Sequence, residues 1–248
     1  MTEKHPFLYT LKFAVAITLI VLTVLGVGLS LIKHFERVNS STPLPVFNQH
    51  DKVRFVIDPG HGGEDAGAIA DDNTLEKDLN LDIATLLYTI LRLNGSDAVL
   101  TRTDDLLLYD KYGDLENYTG QKKVYDLKNR LRIAEEKENS IYVGIHINKF
   151  PSKQYSGLQV YYSHSTKTSK SIAEDIRSLV ATYLQPNNKR QIKGATSSIY
   201  ILHNAKIPAV LIECGFLSND QELELLKSKD YQKKLALNLF VSLSKYDN

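Results

Sequence analysis

Val53-Arg54-Phe55-Val56-Ile57-Asp58-Pro59-Gly60-His61-Gly62-Gly63-Glu64-Asp65 sets a short apolar run against a proline–glycine break. Residues Val53 to Ile57 are mostly β-branched or aromatic, the composition of a buried strand. Asp58-Pro59-Gly60 stops that strand, because proline cannot donate to a ladder and glycine relaxes the backbone. His61 then stands at the strand's carboxyl end, followed by two more glycines. Ligands in open α/β sheets bind at that end. An imidazole held among glycines can meet a metal or a substrate without crowding, although this stretch alone is equally consistent with a tight turn carrying an exposed histidine.

Downstream, Leu75, Leu79, Ile83, Leu86, Leu87, Ile90 and Leu93 fall at helical spacing and Asn94-Gly95 ends the run, which predicts a helix over 75–93. Ala98 to Thr101 reads as the next strand, so strand, helix and strand form a parallel βαβ unit. Thr103 to Lys123 is polar and tyrosine-bearing with no period, which reads as a long surface loop or a disordered insertion. A helix is expected over Asp126–Glu138, a buried strand over Ile141–Ile147, a weaker strand over Leu158–Tyr162 and an amphipathic helix over Ser169–Leu184. Ile199–Leu202 and Ala209–Glu213 read as two short strands. Asn219 has Glu222 three positions on, the capping-box spacing, and Asp230–Tyr246 closes the chain as a helix. The fold class is therefore α/β: a mostly parallel twisted sheet with helices on both faces, in a single domain over 51–248.

The chain has 248 residues, of which 43% are hydrophobic and 24% charged, enough to bury a core and stay soluble. A net charge of +1 gives no electrostatic reason to expect nucleic acid as a partner. The single cysteine, Cys214, excludes an internal disulfide and a cysteine-cluster zinc site, so a zinc site here must use histidine and carboxylate. Three further residues join His61 as candidates: Glu76 at the start of the first helix, His146 at the end of Ile141–Ile147, and Glu213 at the end of Val210-Leu211-Ile212. Each has a plainer reading. Glu76 can simply complement a helix dipole, and His146 can be a hydrogen-bonded structural histidine. Glu213 fits a structural role poorly, because a carboxylate in an apolar strand is costly to bury. Asp58 can orient His61 from behind or merely shape the turn. His164 and His203 read as surface or structural residues. Cys214 as a nucleophile with His146 as base is disfavoured, since neighbouring strand residues face opposite sides and Cys214 should point into the core if Glu213 faces the site.

The blocks Asp58-Pro59-Gly60-His61-Gly62-Gly63, Leu75-Glu76-Lys77-Asp78, Gly144-Ile145-His146-Ile147-Asn148 and Glu213-Cys214-Gly215-Phe216-Leu217-Ser218-Asn219, in this order, resemble the zinc-dependent N-acetylmuramoyl-L-alanine amidases of bacterial cell walls. Residues 150–157 and 198–202 look most like the germination-specific, CwlD-type amidases of the spore cortex. The resemblance implies zinc as cofactor, held by His61, Glu76 and His146, with Glu213 as the catalytic acid–base residue. Two histidines and a glutamate are a documented set for catalytic zinc. It implies peptidoglycan as substrate and hydrolysis of the amide between the lactyl group of N-acetylmuramic acid and L-alanine, in cortex remodelling that leads to muramic-δ-lactam. A zinc metallopeptidase acting on wall peptides uses a similar residue set, and a membrane-tethered wall-binding module is the non-enzymatic alternative, though a binder has no need of a proton shuttle.

Phe13 to Ile32 carries no charge and is long enough to cross a bilayer, bracketed by Lys12 and Lys33. An uncleaved anchor is the preferred reading over a signal peptide, whose apolar region is usually shorter. Residues 1–12 would then be cytoplasmic, 33–50 a proline-punctuated linker, and the domain exported and facing the wall or cortex, or secreted if the segment is cleaved. No wall-binding repeat is visible, so any accessory protein is unidentified.

Overall fold

The computed structural model describes residues 18–19, 22–23, 25–30, 32–33, 52–108 and 121–247. The chain divides into two units, residues 1–48 and 49–248. In the first, the described residues are helical and Leu19, Leu22, Leu25, Val27, Leu29 and Ile32 are each more than half exposed. Among the described residues no helix is long and apolar enough to cross a membrane, and nine of the twenty residues of the run 13–32 lie outside them.

The second unit is built on a six-stranded sheet. Its strands are β1 (Arg54–Pro59), β2 (Asp97–Leu100), β3 (Ser140–Asn148), β4 (Gln159–Tyr162), β5 (Lys193–Gly194) and β6 (Ala209–Phe216), in spatial order β2-β1-β3-β6-β4-β5. β2, β1, β3 and β6 run parallel, and β4 turns antiparallel against β6. The helices are α1 (Glu76–Leu93), α2 (Lys122–Ala134), α3 (Lys167–Tyr183), α4 (Tyr200–Asn204), α5 (Asp220–Lys227) and α6 (Lys229–Leu243).

The apolar stripe of α1, with Leu79, Ile83, Leu87 and Leu91, packs with Ile172 and Ile176 of α3 and Leu235 and Leu239 of α6 over Phe55, Val143, Ile145 and Ile212. On the opposite face Ile133 of α2 and Ile201 and Leu202 of α4 pack on Val56, Tyr142 and Ala209. Alternate residues of one strand thus feed two different cores, which is the period of two expected of a strand buried on both faces. α1 ends as its sequence predicts: Gly95 takes φ 84° and Ser96 N–H bonds back to Leu91 C=O at 3.1 Å.

The expected α/β sheet with helices on both faces is observed. Three details differ. Ile199–Leu202 is not a strand: Tyr200–Asn204 is a short helix, and its Ile201 and Leu202 bury against α2. The helix expected over 126–138 instead starts at Lys122 and ends at Ala134. Asn219 caps α5 by accepting from Gln221 and Glu222 N–H, but Glu222 does not return the bond; it accepts from Gly157 and Phe216 N–H instead. Of the loop expected over 103–123, Leu107 and Leu108 are buried and Leu108 N–H donates to Asp126 at 2.6 Å, while residues 109–120 lie outside those described.

Candidate metal centre

β1 leads through α1 to β2 on one side, and the chain then crosses to β3 on the other side of β1. The gap between the carboxyl ends of β1 and β3 is thus a topological switch point, where helices leave in opposite directions and a crevice opens. His61 follows β1 and His146 ends β3, so the two histidines stand on either side of that crevice, rings 5.0 Å apart and edge to face. Glu76, the first residue of α1, is 4% exposed and turns back between them.

His61, Glu76 and His146 each offer a ligand atom within 4.8 Å of the others. His61 Nε2 lies 3.2 Å and His146 Nδ1 3.1 Å from Glu76 Oε1. These separations approach the edge of a tetrahedron with zinc–ligand arms of about 2.0–2.1 Å, roughly 3.3 Å. The same oxygen also faces Ile147 N at 3.1 Å and Asn80 Nδ2 at 3.2 Å, so four nitrogens converge on an oxygen that has two lone pairs. A cation among the three side chains resolves that crowding. Glu76 Oε2 is fixed by Ala68 N–H at 2.8 Å. His61 Nδ1 sits 3.0 Å from Asp65 Oδ2, the carboxylate contact that sets the tautomer and aim of a ligating imidazole.

Glycine is required on both sides of the trio. A Cβ at Gly60 would overlap the His146 ring, and one at Gly67, where φ is 67°, would come within 2.7 Å of His61 Cδ2. His61 itself adopts φ 64°, a conformation that costs a non-glycine residue about 1–2 kcal/mol. Two buried arginines hold it there. Arg130 donates to His61 C=O at 2.6 Å and Pro59 C=O at 2.9 Å, and Arg102 donates to Pro59 C=O and Gly60 C=O, each at 3.0 Å. Arg130 is in turn paired with Asp58 and Asp126, each at 2.6 Å, and Asp58 also accepts from Tyr142 at 2.5 Å and from Thr101. Asp58 therefore serves the arginine clamp and does not touch His61; burial pushes its carboxyl up, and Arg130, Thr101 and Tyr142 more than offset this, leaving it below the usual range.

Glu213 adjoins the trio. Its Cα is in register with that of His146 across β3 and β6. Just beyond that pair the register slips: Asn148 pairs with Phe216, so β6 carries one extra residue. Bulges of this kind re-aim side chains beside functional sites. Glu213 Oε2 is buried and has no hydrogen-bond partner among the described residues. Burial and the Glu76 charge together raise its carboxyl to about 7. Cys214 is fully buried in the core on the other face, and its thiol is pushed upward by burial, so it is no nucleophile. His164 and His203 are exposed and distant in the fold from the crevice, on the segments after β4 and in α4.

The charges and burial around the site set how the metal-free protein should respond to pH. Burial opposes charge on His61, but Asp65 and Glu76 outweigh it and raise the imidazole from 6.5 to about 9. That stabilisation is complete below 6.5 and is lost as pH rises through 9. Glu213, raised from 4.5 to about 7, acts in the same direction and loses its contribution as pH rises through 7. Glu76 is lowered from 4.5, because the two histidines outweigh its burial, and it loses its contribution as pH falls below that value. Metal-stripped protein should therefore unfold at its highest temperature at about pH 4.5, at lower temperature as Glu213 ionises toward pH 7, and at progressively lower temperature toward pH 9. Added zinc should protect increasingly over the same rise, because ligands bind metal deprotonated. Thermal unfolding of stripped and reloaded protein across that range checks both; a stripped protein that gains stability from pH 6.5 to 9 contradicts the assigned network.

Sequence reasoning did not find Asp65, Asn80, Arg102 or Arg130. Only Asp65 left a signal, standing four residues after His61 inside the turn.

Residues 55–245 match the family model described as N-acetylmuramoyl-L-alanine amidase. The chain is similar to the germination-specific N-acetylmuramoyl-L-alanine amidase of Bacillus subtilis, 33% identical over 197 residues that span 77% of this chain and 78% of that one. Among solved structures it resembles the CwlD amidase of Clostridioides difficile in complex with the GerS lipoprotein, with TM-score 0.72, 37% identity and coverage of 78% of this chain and 97% of that one. It also resembles the amidase AmiC2 of Nostoc punctiforme, with TM-score 0.65, 30% identity and coverage of 78% and 96%.

Proposed function

The chain belongs to the N-acetylmuramoyl-L-alanine amidase family, and on that premise we propose that it is a zinc hydrolase of peptidoglycan that separates the lactyl group of N-acetylmuramic acid from the L-alanine of the stem peptide, in remodelling of the spore cortex. The observation that carries the zinc assignment is the convergence of His61 Nε2 and His146 Nδ1 on Glu76 Oε1 in the switch-point crevice. His61, Glu76 and His146 hold the ion, with Asp65 and Asn80 behind them. Bound zinc supplies a Lewis acid that acidifies water and polarises the carbonyl under attack.

The remaining chemistry falls to Glu213. Its partnerless oxygen accepts the proton lost by the attacking water and delivers it to the departing nitrogen of L-alanine. A C–O bond forms, the C–N bond breaks, and the products are a muramic carboxyl group and a free amine. A carboxylate at this position can take up a proton and release it in turn, as a group that serves as base and then as acid must.

Incubation of purified peptidoglycan with the zinc-loaded chain, followed by mass spectrometry, should yield glycan stripped of peptide and stem peptides with a free L-alanine amine. Cleavage only between amino acids would assign a peptidase instead. The cortex role draws support from the similarity to the germination-specific relative; spores of a deletion strain should lack muramic-δ-lactam, and normal lactam would remove that role while leaving the amidase chemistry intact.

His61→Ala and His146→Ala should each lose zinc on metal analysis, with activity falling in proportion. Full activity after verified removal of all metal would end the zinc assignment. The proposal places the catalytic unit outside the membrane, held by residues 13–32 as an uncleaved anchor; the support is the uncharged run itself and the exposed apolar side chains of its described helical residues. Protease added to intact protoplasts should digest the catalytic unit, and complete protection would place it inside.

A further inference from the structure

Next to Glu213 the sheet edge opens into a cavity of about 320 Å³, bounded by Asn148, Phe216, Gln159 and Tyr161, with Arg190 and Lys193 on its far side. Gln159 is the Cα register partner of Glu213, so the two side chains share one face of the sheet, and β5, which carries Lys193, pairs with β4. The Tyr161 hydroxyl feels both ends: burial and Glu213 raise its pKa, and Arg190 opposes them.

Arg190 is held as an open fork. Its Nε donates to Ser156 C=O at 2.7 Å, and its guanidinium lies over the Phe216 ring at 4.6 Å. Stacking on an aromatic face fixes the plane of the fork and leaves its edge for a carboxylate. Among the described residues no carboxylate pairs with Arg190 or Lys193. Glu222, which feels the Arg190 charge, has both oxygens occupied, by Gly157 N–H at 2.7 Å and Phe216 N–H at 2.9 Å. An aromatic wall, two cations without counter-ions and a lining residue in register with the proton carrier describe a subsite for an extended anionic chain.

We propose that this cavity binds a carboxylate of the stem peptide beyond L-alanine, so that Arg190 and Lys193 select acidic stems over amidated ones. The inference rests on the zinc-amidase reading above and says which side of the scissile bond the cavity serves. The reach agrees. β5 lies two strand spacings from β6, roughly 10 Å, and two to three extended residues span roughly 7–11 Å. The second and third stem residues, which carry free carboxylates, fall within that span, whereas the glycan must lie on the other side of the bond.

The test compares kcat/KM of the zinc-loaded full chain on four matched muramoyl peptides: an all-acid stem, one amidated at the second residue, one amidated at the third, and one amidated at both. The all-acid stem should be cleaved about 10–100-fold faster than the doubly amidated one, the range expected for losing charge-assisted hydrogen bonds. The two singly amidated stems show which carboxylate is held, and a loss with either one supports the subsite. Lys193→Met and Arg190→Met should lose most of that preference, through the acid substrate alone, with zinc content unchanged. Lys193 is exposed on a two-residue strand, so its variant keeps the test open should Arg190→Met fold poorly. Equal rates on acid and amide, or variants that lower both rates alike, overturn the subsite while leaving the amidase intact. Absence of muramoyl–alanine cleavage on all four substrates overturns the zinc-amidase reading, and the subsite with it.

Discussion

Glu213→Gln is expected to keep zinc and the fold while kcat falls about 10²–10⁴-fold, the range that general acid–base catalysis supplies. Glutamine has nearly the shape of glutamate but can neither accept the proton of water nor return it to an amine. The site makes the substitution unusually clean. Glu213 Oε2 accepts no hydrogen bond among the described residues, so the amide breaks no bond there. The neutral amide also removes a carboxyl whose ionisation burial opposes, so the metal-free variant should be at least as stable as the parent above pH 7. KM should change little where it reports binding.

Glu76→Gln provides the contrast. It takes the anionic member from the ligand trio and places an NH₂ or a neutral oxygen where two imidazole nitrogens converge at 3.1 and 3.2 Å. Zinc affinity itself should fall, with activity following zinc content. Metal content and turnover measured side by side in the two variants separate carrying a proton from holding the metal. Near-normal turnover in Glu213→Gln, or a zinc loss equal to that of Glu76→Gln, would require another proton carrier.

What could be read from the chain was what local pattern encodes. The β-branched runs before His61, His146 and Glu213 announced buried strands, and a polar residue at the end of each such run was conspicuous because nothing local explained it. Glu76 was legible as a first-turn helix residue off the apolar stripe. Ile199–Leu202 misled because a short apolar run has no period long enough to distinguish strand from helix; tertiary packing against α2 decided for the helix. Arg130 was illegible for a different reason. It lies in Lys122–Ala134, where five cationic residues give the appearance of a solvated face, yet Arg130 is 1% exposed. Its partner Asp58 is 72 positions away, and no local rule pairs residues at that distance.

That buried arginine carries the other large expected effect. Arg130→Met should destabilise the catalytic unit by about 3–5 kcal/mol, because Asp58 and Asp126 would keep buried charges without their shared cation. For a unit of this size that is a fall in Tm of roughly 6–20 °C. Zinc affinity should fall as well, by about 10–100-fold, as when residues that support metal ligands are removed. The reason is positional: Arg130 holds the carbonyl of His61, whose φ of 64° relaxes toward ordinary backbone without it. Arg130→Lys should fall between parent and Met, since one ammonium keeps the charge but cannot span two carboxylates and two carbonyls as the guanidinium does. Asp58→Asn placed in the Arg130→Met background should recover part of the lost stability by removing one of the stranded charges. Unfolding of Arg130→Met within about 1 kcal/mol of the parent, or zinc affinity unchanged in a folded Arg130→Met protein, would show that the arginine neither supports this core nor sets the aim of His61.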